Sequence, residues 1–263
     1  MKILFIGDIM GNPGLLVVNK TLAAFASDNR NYDFISANVE NAEGGFGLKK
    51  DTLIQLNRMN LDCMTSGNHI WDRPEIYKYI NEEPKLIRPA NYPPGNPGFG
   101  WQIFETDSKI KVAVINLQGR VYMQSIDCPF QKADEILEQI GDECQVILVD
   151  FHADASSEKQ AMAWHLNGRV SAVVGTHTHV QTADERILSG GTGMITDVGM
   201  CGPYDSVIGM DIDAALFRLI KARPNRLTIA ESNIKFAAVE IDIDETTGKC
   251  RDINRLLLDM PED

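Results

Sequence analysis

Apolar residues in this chain come in short, dense runs. Residues 2–6, 34–39, 63–66, 146–150, 172–174 and 194–198 are each of strand length and predict buried strands. Residues 101–105 and 111–116 alternate like paired strands, and 236–243 alternates strongly enough to predict a closing strand. Between these runs the spacing turns helical. Leu15, Val18, Leu22 and Phe25 place one face on a helix over 13–26, with Pro13 near its first turn. Further helices are predicted over 48–59, 72–80, 133–140, 157–166 (with Ser156 as its cap) and 212–221. Residues 44–47 read as a flexible glycine loop and Gly202-Pro203 as a turn. The stretch 84–98 carries five prolines with Gly95 and Gly98. Strands resume on both sides of it, so it predicts a rigid irregular loop rather than a domain linker. There is no internal repeat. The pattern predicts one α/β domain over residues 1–263, with two sheets packed together and helices outside.

Composition narrows the function. The chain is 44% apolar and 24% charged, as in an ordinary globular domain. A net charge of −12 argues against gripping long nucleic acid through a basic face. It leaves room for a small anionic substrate, because bound divalent cations reverse the sign of a pocket locally. The apolar run at residues 2–6 meets Asp8 at once, which predicts a first strand rather than a signal sequence. No stretch approaches ~18 consecutive apolar residues, so no membrane span is expected. The cysteines at 63, 128, 144, 201 and 250 are odd in number and form no Cys-x-x-Cys. Free thiols fit a reducing cytoplasm.

The chemistry sits where apolar runs end. Gly175-Thr176-His177-Thr178-His179, Gly67-Asn68-His69, Gly7-Asp8, Glu40-Asn41 and His152 each follow such a run. In an open α/β sheet the strand ends on one edge share a crevice, where ligands bind. Nitrogen and oxygen donors gathered there predict a metal site, and their number predicts two metals. His177 and His179, two apart in an extended segment, are expected to point to one side. Each motif alone has a plainer reading: loop histidines, an Asn68 turn, an Asp8 helix cap. Yet four of the five histidines follow apolar runs, and only His165 lies within a predicted helix. A carboxylate at position 40, directly after a buried run, is costly unless paired.

Taken in order, Gly7-Asp8, the acidic strand end, Gly67-Asn68-His69, the isolated His152 and Gly175–His179 resemble the calcineurin-like metallophosphoesterase signature. Met10 stands where the wider superfamily has histidine, and Glu40-Asn41 where it has Gly-Asp. Both departures resemble the YmdB-like subgroup. So do Asn38-x-Glu40-Asn41-Ala42, Gly67-Asn68-His69-x-Trp71-Asp72, Arg88-Pro89-Ala90-Asn91-Tyr92-Pro93 and Asp150-Phe151-His152-Ala153.

The resemblance implies a four-layer αββα sandwich with mixed sheets, and a dinuclear-metal phosphodiesterase acting on 2′,3′-cyclic nucleotides. It implies Asp8, Glu40 and His179 on metal one, with Asn41 or water in place of the missing histidine. Glu40 bridges to metal two, which also takes Asn68, His152 and His177. A hydroxide shared by the metals would attack phosphorus, and His69, oriented by Asp72, would protonate the leaving oxygen. The resemblance leans toward Mn or Fe, and the donor set also admits Zn. The loops at 44–47, 88–97 and 201–206 are expected to wall the base pocket. A nucleotide-sensing regulator with little turnover, or a phosphomonoesterase or nuclease on the same centre, are the competing readings. Homo-oligomer formation is left open.

Overall fold

The computed structural model describes residues 1–261. Along the chain, β1 (Lys2–Ile6), β2 (Asp8–Ile9), α1 (Gly11–Ser27), β3 (Phe34–Asn38), α2 (Lys50–Asn57) and β4 (Cys63–Thr65) alternate. Then come β5 (Trp101–Glu105), β6 (Lys111–Gln118), α3 (Pro129–Ile140), β7 (Val146–His152), α4 (Ser156–His165) and β8 (Ala172–Thr176). The last elements are β9 (Arg186–Ile187), β10 (Gly193–Ile195), β11 (Met200–Pro203), α5 (Ile212–Lys221), β12 (Ile234–Ile243) and β13 (Cys250–Asp259). One sheet has the order β2-β11-β12-β1-β3-β4, with β13 also paired to β12. The other has the order β5-β6-β7-β8-β10-β9.

Strand periodicity explains the layering. Ile3 and Phe5 of β1 join Phe34, Val112, Val114, Leu148 and Val174 in a core between the sheets. Their neighbours Leu4 and Ile6 face the other way and pack with Leu15, Val18 and Leu53 of α1 and α2. In the second sheet Ala113 and Ile115 face outward onto Ile136 of α3 and Met162 of α4. Both faces of the central strands are therefore buried, which is why their sequences run apolar without alternation. The layers are helix, sheet, sheet, helix, as expected. Strands β1, β3 and β4 are parallel, and so are β6, β7, β8 and β10. Their carboxyl ends carry the polar motifs.

Several elements differ from the sequence expectation. Residues 72–80 are 3₁₀ turns, Pro74–Lys78 and Ile80–Glu82, because Tyr79 at φ −133° breaks the helical path. Gly202-Pro203 ends strand β11 rather than forming a turn. Ser156 is the first residue of α4, and its cap residue Ala155 makes no side-chain cap bond. Strand β10 stops at Ile195, because Thr196 and Asp197 donate their N–H groups to Asp184 and Thr182 side chains. Strand β13 has no clean alternation in sequence. It pairs only with β12, and as an edge strand it buries only Cys250 and Ile253. Among the described residues no helix is long and apolar enough to cross a membrane.

Candidate metal centre

Five chain segments meet at the carboxyl edge of the two sheets. Asp8 follows β1, Glu40 follows β3, Asn68 follows β4, His152 ends β7, and His177 follows β8. Asp8, Glu40 and His152 are almost completely buried. His152 Nε2 lies 2.8 Å from Glu40 Oε1, 3.1 Å from Asn68 Oδ1 and 3.1 Å from His177 Nδ1. One ring nitrogen can donate only one hydrogen, so three such neighbours exceed what hydrogen bonding satisfies. Glu40, His152 and His177 each turn a ligand atom into a region less than 4.8 Å across, a group able to hold a metal ion.

A second set of donors adjoins the first. His179 Nε2 is 3.3 Å from Asn41 Oδ1 and 4.0 Å from Asp8 Oδ1. Asp8 Oδ2 accepts the N–H of His177 at 3.2 Å, while its buried Oδ1 finds no hydrogen-bond partner among the described residues. Burial raises the Asp8 carboxyl above its ordinary range, and the nearby Glu40 and Asp197 charges add to this against His179 and His152. Burial also opposes ionisation of Glu40, but the charge and hydrogen bond of His152, with the His69 N–H, outweigh it and lower its pKa. These are the conditions a divalent cation relieves.

The backbone that delivers the two histidines is not extended. His177 has φ 104° and His179 φ 65°, so they do not project side by side as strand residues would. Instead they diverge, one toward His152 and the other toward Asn41. Such conformations are costly for bulky residues and persist where the surroundings over-determine them. Thr178 between them is pinned twice: its N–H and its hydroxyl both donate to Asp197 Oδ2, at 3.0 and 2.7 Å. Asp197 is in turn paired with Lys159 at 2.6 Å, both side chains nearly fully buried. The sequence reading missed this pair, since nothing local distinguishes Lys159 in a helix or Asp197 after a strand. Lys159→Met is expected to cost about 3–5 kcal/mol of stability, because it strands a buried carboxylate. Urea unfolding checks this, and an unchanged midpoint would contradict it.

A second unforeseen network lies beneath His152. Its Nδ1 is 2.9 Å from Thr176 Oγ1, whose hydroxyl donates to Asp150 Oδ1 at 2.7 Å. Asn38 Nδ2 donates to Asp150 Oδ2 at 3.1 Å. These bonds fix the ring so that Nε2 faces the cluster. The ring also explains Gly67: a Cβ there would lie 2.2 Å from His152 Cδ2. Gly67→Ala is expected to displace the imidazole and lower metal affinity by about 10–100-fold, as loss of an orienting group does. Equilibrium dialysis against Mn²⁺ reads it, and wild-type affinity would contradict the close-packing argument.

His69 stands apart from the cluster. Its N–H donates to Glu40 Oε2 at 2.9 Å, and its ring Nδ1 is 2.8 Å from Asp72 Oδ2. The ring meets the edge of Phe46 at 5.0 Å. Asn68 is not among the positive-φ residues, so its motif is not merely a left-handed turn. Asp8 does not cap α1, whose cap position is Met10. His165 sits away from the centre against Asp134.

A cavity of about 470 Å³ opens over these groups. Glu40, Asn41, His69, His177 and His179 line one side, and Phe46, Met10, Ile208, Met210 and Leu227 the other. Of the loops expected to wall it, only 44–47 does so. In the proline-rich loop, Arg88 turns inward to donate to the carbonyls of Pro89, Asn96 and Pro97. Residues 201–206 also lie off the lining, and the wall comes instead from 208–227. Asp154, 3.6 Å from His177 Nε2, joins the lining unforeseen.

Residues 4–256 match the model of the YmdB-like proteins. The chain belongs to the YmdB-like family. The chain is 46% identical over 258 residues to a 2′,3′-cyclic-nucleotide 2′-phosphodiesterase of Bacillus subtilis, an alignment covering 98% of this chain and 97% of that one. Its fold is similar to that of a hypothetical protein from Thermus thermophilus, with a TM-score of 0.92, 38% identity, and 99% and 100% of the two chains covered. It is also similar to a structure described as a novel phosphatase from Mycoplasma pneumoniae, with a TM-score of 0.91, 30% identity, and 98% and 93% covered.

Proposed function

We propose that this chain is a phosphodiesterase that hydrolyses 2′,3′-cyclic nucleotides with two divalent metal ions, Mn or Fe before Zn. The observation that carries the reading is the juxtaposition, at one cavity, of a donor cluster and the separate His69, whose ring is held from behind by Asp72. The similarity to the Bacillus subtilis 2′-phosphodiesterase supports the substrate. Asp8, Glu40 and His179, with Asn41, would hold one ion. Glu40, Asn68, His152 and His177 would hold the other. The unpartnered Asp8 Oδ1 and the crowded His152 Nε2 fit such ligands. When bound, the ions neutralise phosphoryl charge and make water a better nucleophile.

The remaining work falls to the chain itself. Asp72 accepts from His69 Nδ1 and fixes the ring, leaving Nε2 to exchange a proton. The water oxygen adds to phosphorus, the P–O2′ bond breaks, His69 Nε2–H supplies the proton to O2′, and the proton released by the water restores His69. The apolar wall around Phe46, Met210 and Leu227 receives the base. A single negative charge on the cyclic diester suits an acidic chain with a cationic centre. A purely sensing protein needs the ligands but has no use for the His69–Asp72 pair. Phosphorus NMR of the product tests the reading. A nucleoside 3′-monophosphate is expected, whereas a 2′-monophosphate would place the leaving oxygen on the wrong side.

A further inference from the structure

The catalytic cavity carries one permanent cation that the proposed reaction leaves unused. Arg218 of α5 lines it, and among the described residues no other lysine or arginine does. Three histidines, Glu40 and Asp154 are the other titratable groups of the lining, and Asp154 lies against His177. Arg218 stands on the inward face of α5, one turn beyond Ala214 and the buried Ala215. Its guanidinium makes no hydrogen bond or ion pair among the described residues. A planar fork of donors therefore borders the cavity without an acceptor. The side chain is exposed to solvent, whereas Asp8, Glu40 and His152 of the donor cluster are at most 1% exposed. Arg218 thus belongs to the mouth of the cavity, and the reacting phosphoryl group to its floor.

The shape of the substrate says what reaches the mouth. In a 2′,3′-cyclic nucleotide the phosphate bridges O2′ and O3′. The base on C1′ and the O5′ arm on C4′ lie across the sugar ring from it. With the cyclic phosphate on the floor, both point outward. The base has the apolar wall of Phe46, Met210 and Leu227. The O5′ arm has Arg218. A hydroxyl there leaves the guanidinium charge unanswered, whereas a phosphate accepts its fork in two parallel hydrogen bonds. Room continues beyond Leu227. A groove of about 400 Å³ shares that residue with the cavity and bears Arg226, whose guanidinium is likewise unpaired among the described residues. Glu43 on this groove is paired with Lys49 at 2.6 Å, which leaves Glu231 as its uncompensated acid.

We infer that Arg218 binds a phosphate on O5′, so that the preferred substrate is the 2′,3′-cyclic end of a short oligoribonucleotide rather than a lone nucleoside cyclic phosphate. This rests on the phosphodiesterase reading above and extends its substrate. The cyclic phosphate takes the floor, the O5′ diester takes Arg218, and the upstream nucleotide takes the adjoining groove. One phosphate needs one guanidinium, so the net charge of −12, which opposes a long nucleic-acid track, does not oppose this contact.

Steady-state kinetics on the full-length, Mn²⁺-loaded protein tests it with three substrates. They are adenosine 2′,3′-cyclic phosphate, its 5′-phosphorylated form, and the dinucleotide adenylyl-adenosine ending in a 2′,3′-cyclic phosphate. Both substrates with a phosphate on O5′ are expected to exceed the first by about 10–100-fold in kcat/KM, the worth of a charge-assisted contact. The gain should lie in KM, because the contact is remote from the reacting atoms and is made in ground state and transition state alike. Arg218→Ala should abolish the gain while lowering turnover of the first substrate far less. Arg218→Lys should keep part of it, since an ammonium retains the charge but not the fork. No gain in the wild type, or a gain that survives Arg218→Ala, would overturn the inference. A gain from the 5′-monophosphate alone would overturn the oligoribonucleotide and reassign the site to mononucleotides. An equal loss of kcat on all three substrates in Arg218→Ala would place Arg218 on the reacting phosphoryl group instead. No turnover of any substrate by the wild type would sink the phosphodiesterase reading and the inference with it, whereas turnover without preference sinks the inference alone.

Discussion

Glu40→Ala is expected to strip the centre of metal and remove turnover together. Both Glu40 oxygens are engaged at the centre: Oε1 lies 2.8 Å from His152 Nε2, and Oε2 accepts the His69 N–H at 2.9 Å. The side chain is buried, so water cannot replace it freely. Loss of an outer partner of a metal ligand typically costs about 10–100-fold in affinity. Loss of the proposed bridging carboxylate should exceed that range. Metal content after dialysis, with parallel turnover assays, reads both effects. Glu40→Gln separates charge from shape: it keeps the volume and one carbonyl oxygen, and should still lose metal. Full metal occupancy in Glu40→Ala would remove Glu40 from the ligand set.

His69→Ala should behave in the opposite way. Turnover is expected to fall about 10²–10⁴-fold, the usual contribution of a positioned acid or base, with metal content unchanged. The distinction rests on geometry. His69 lines the cavity and pairs with Asp72, whereas the cluster that closes on itself is Glu40, His152 and His177. Asp72→Asn should lower turnover less, because an amide oxygen still accepts from Nδ1 but orients the ring less firmly. If His69→Ala lost metal instead, His69 would be a ligand and the proton donor would lie elsewhere.

Much of this was legible in the chain because buried parallel strands leave an unmistakable trace. A run such as Val146 to Val149 has no polar positions when both its faces are covered, so its end, and the group after it, can be read directly. Asp8, Glu40, Asn68, His152 and His177 are all found at such ends. What stayed hidden depends on contacts distant in sequence. Lys159 and Asp197 are 38 residues apart and become a pair only when α4 packs beside β8. The positive φ of His177 and His179 follows from the grip of Asp197 on Thr178, which no spacing reveals. The cavity wall was misread for the same reason. Proline and glycine content marked 88–97 as a loop, but Arg88 turns inward and the apolar wall comes from the 208–227 segment. Strand β13 escaped notice because an edge strand needs no regular apolar face.

Metal-dependent cleavage of a cyclic phosphodiester is the central claim. Purified protein should be assayed on 2′,3′-cyclic AMP with added Mn²⁺ and with a chelator, beside 3′,5′-cyclic AMP and a simple phosphomonoester. Turnover confined to the 2′,3′ substrate, abolished by chelator and restored by Mn²⁺, is the predicted result. Equal turnover with chelator present, or none on the 2′,3′ substrate with metal bound, would contradict it.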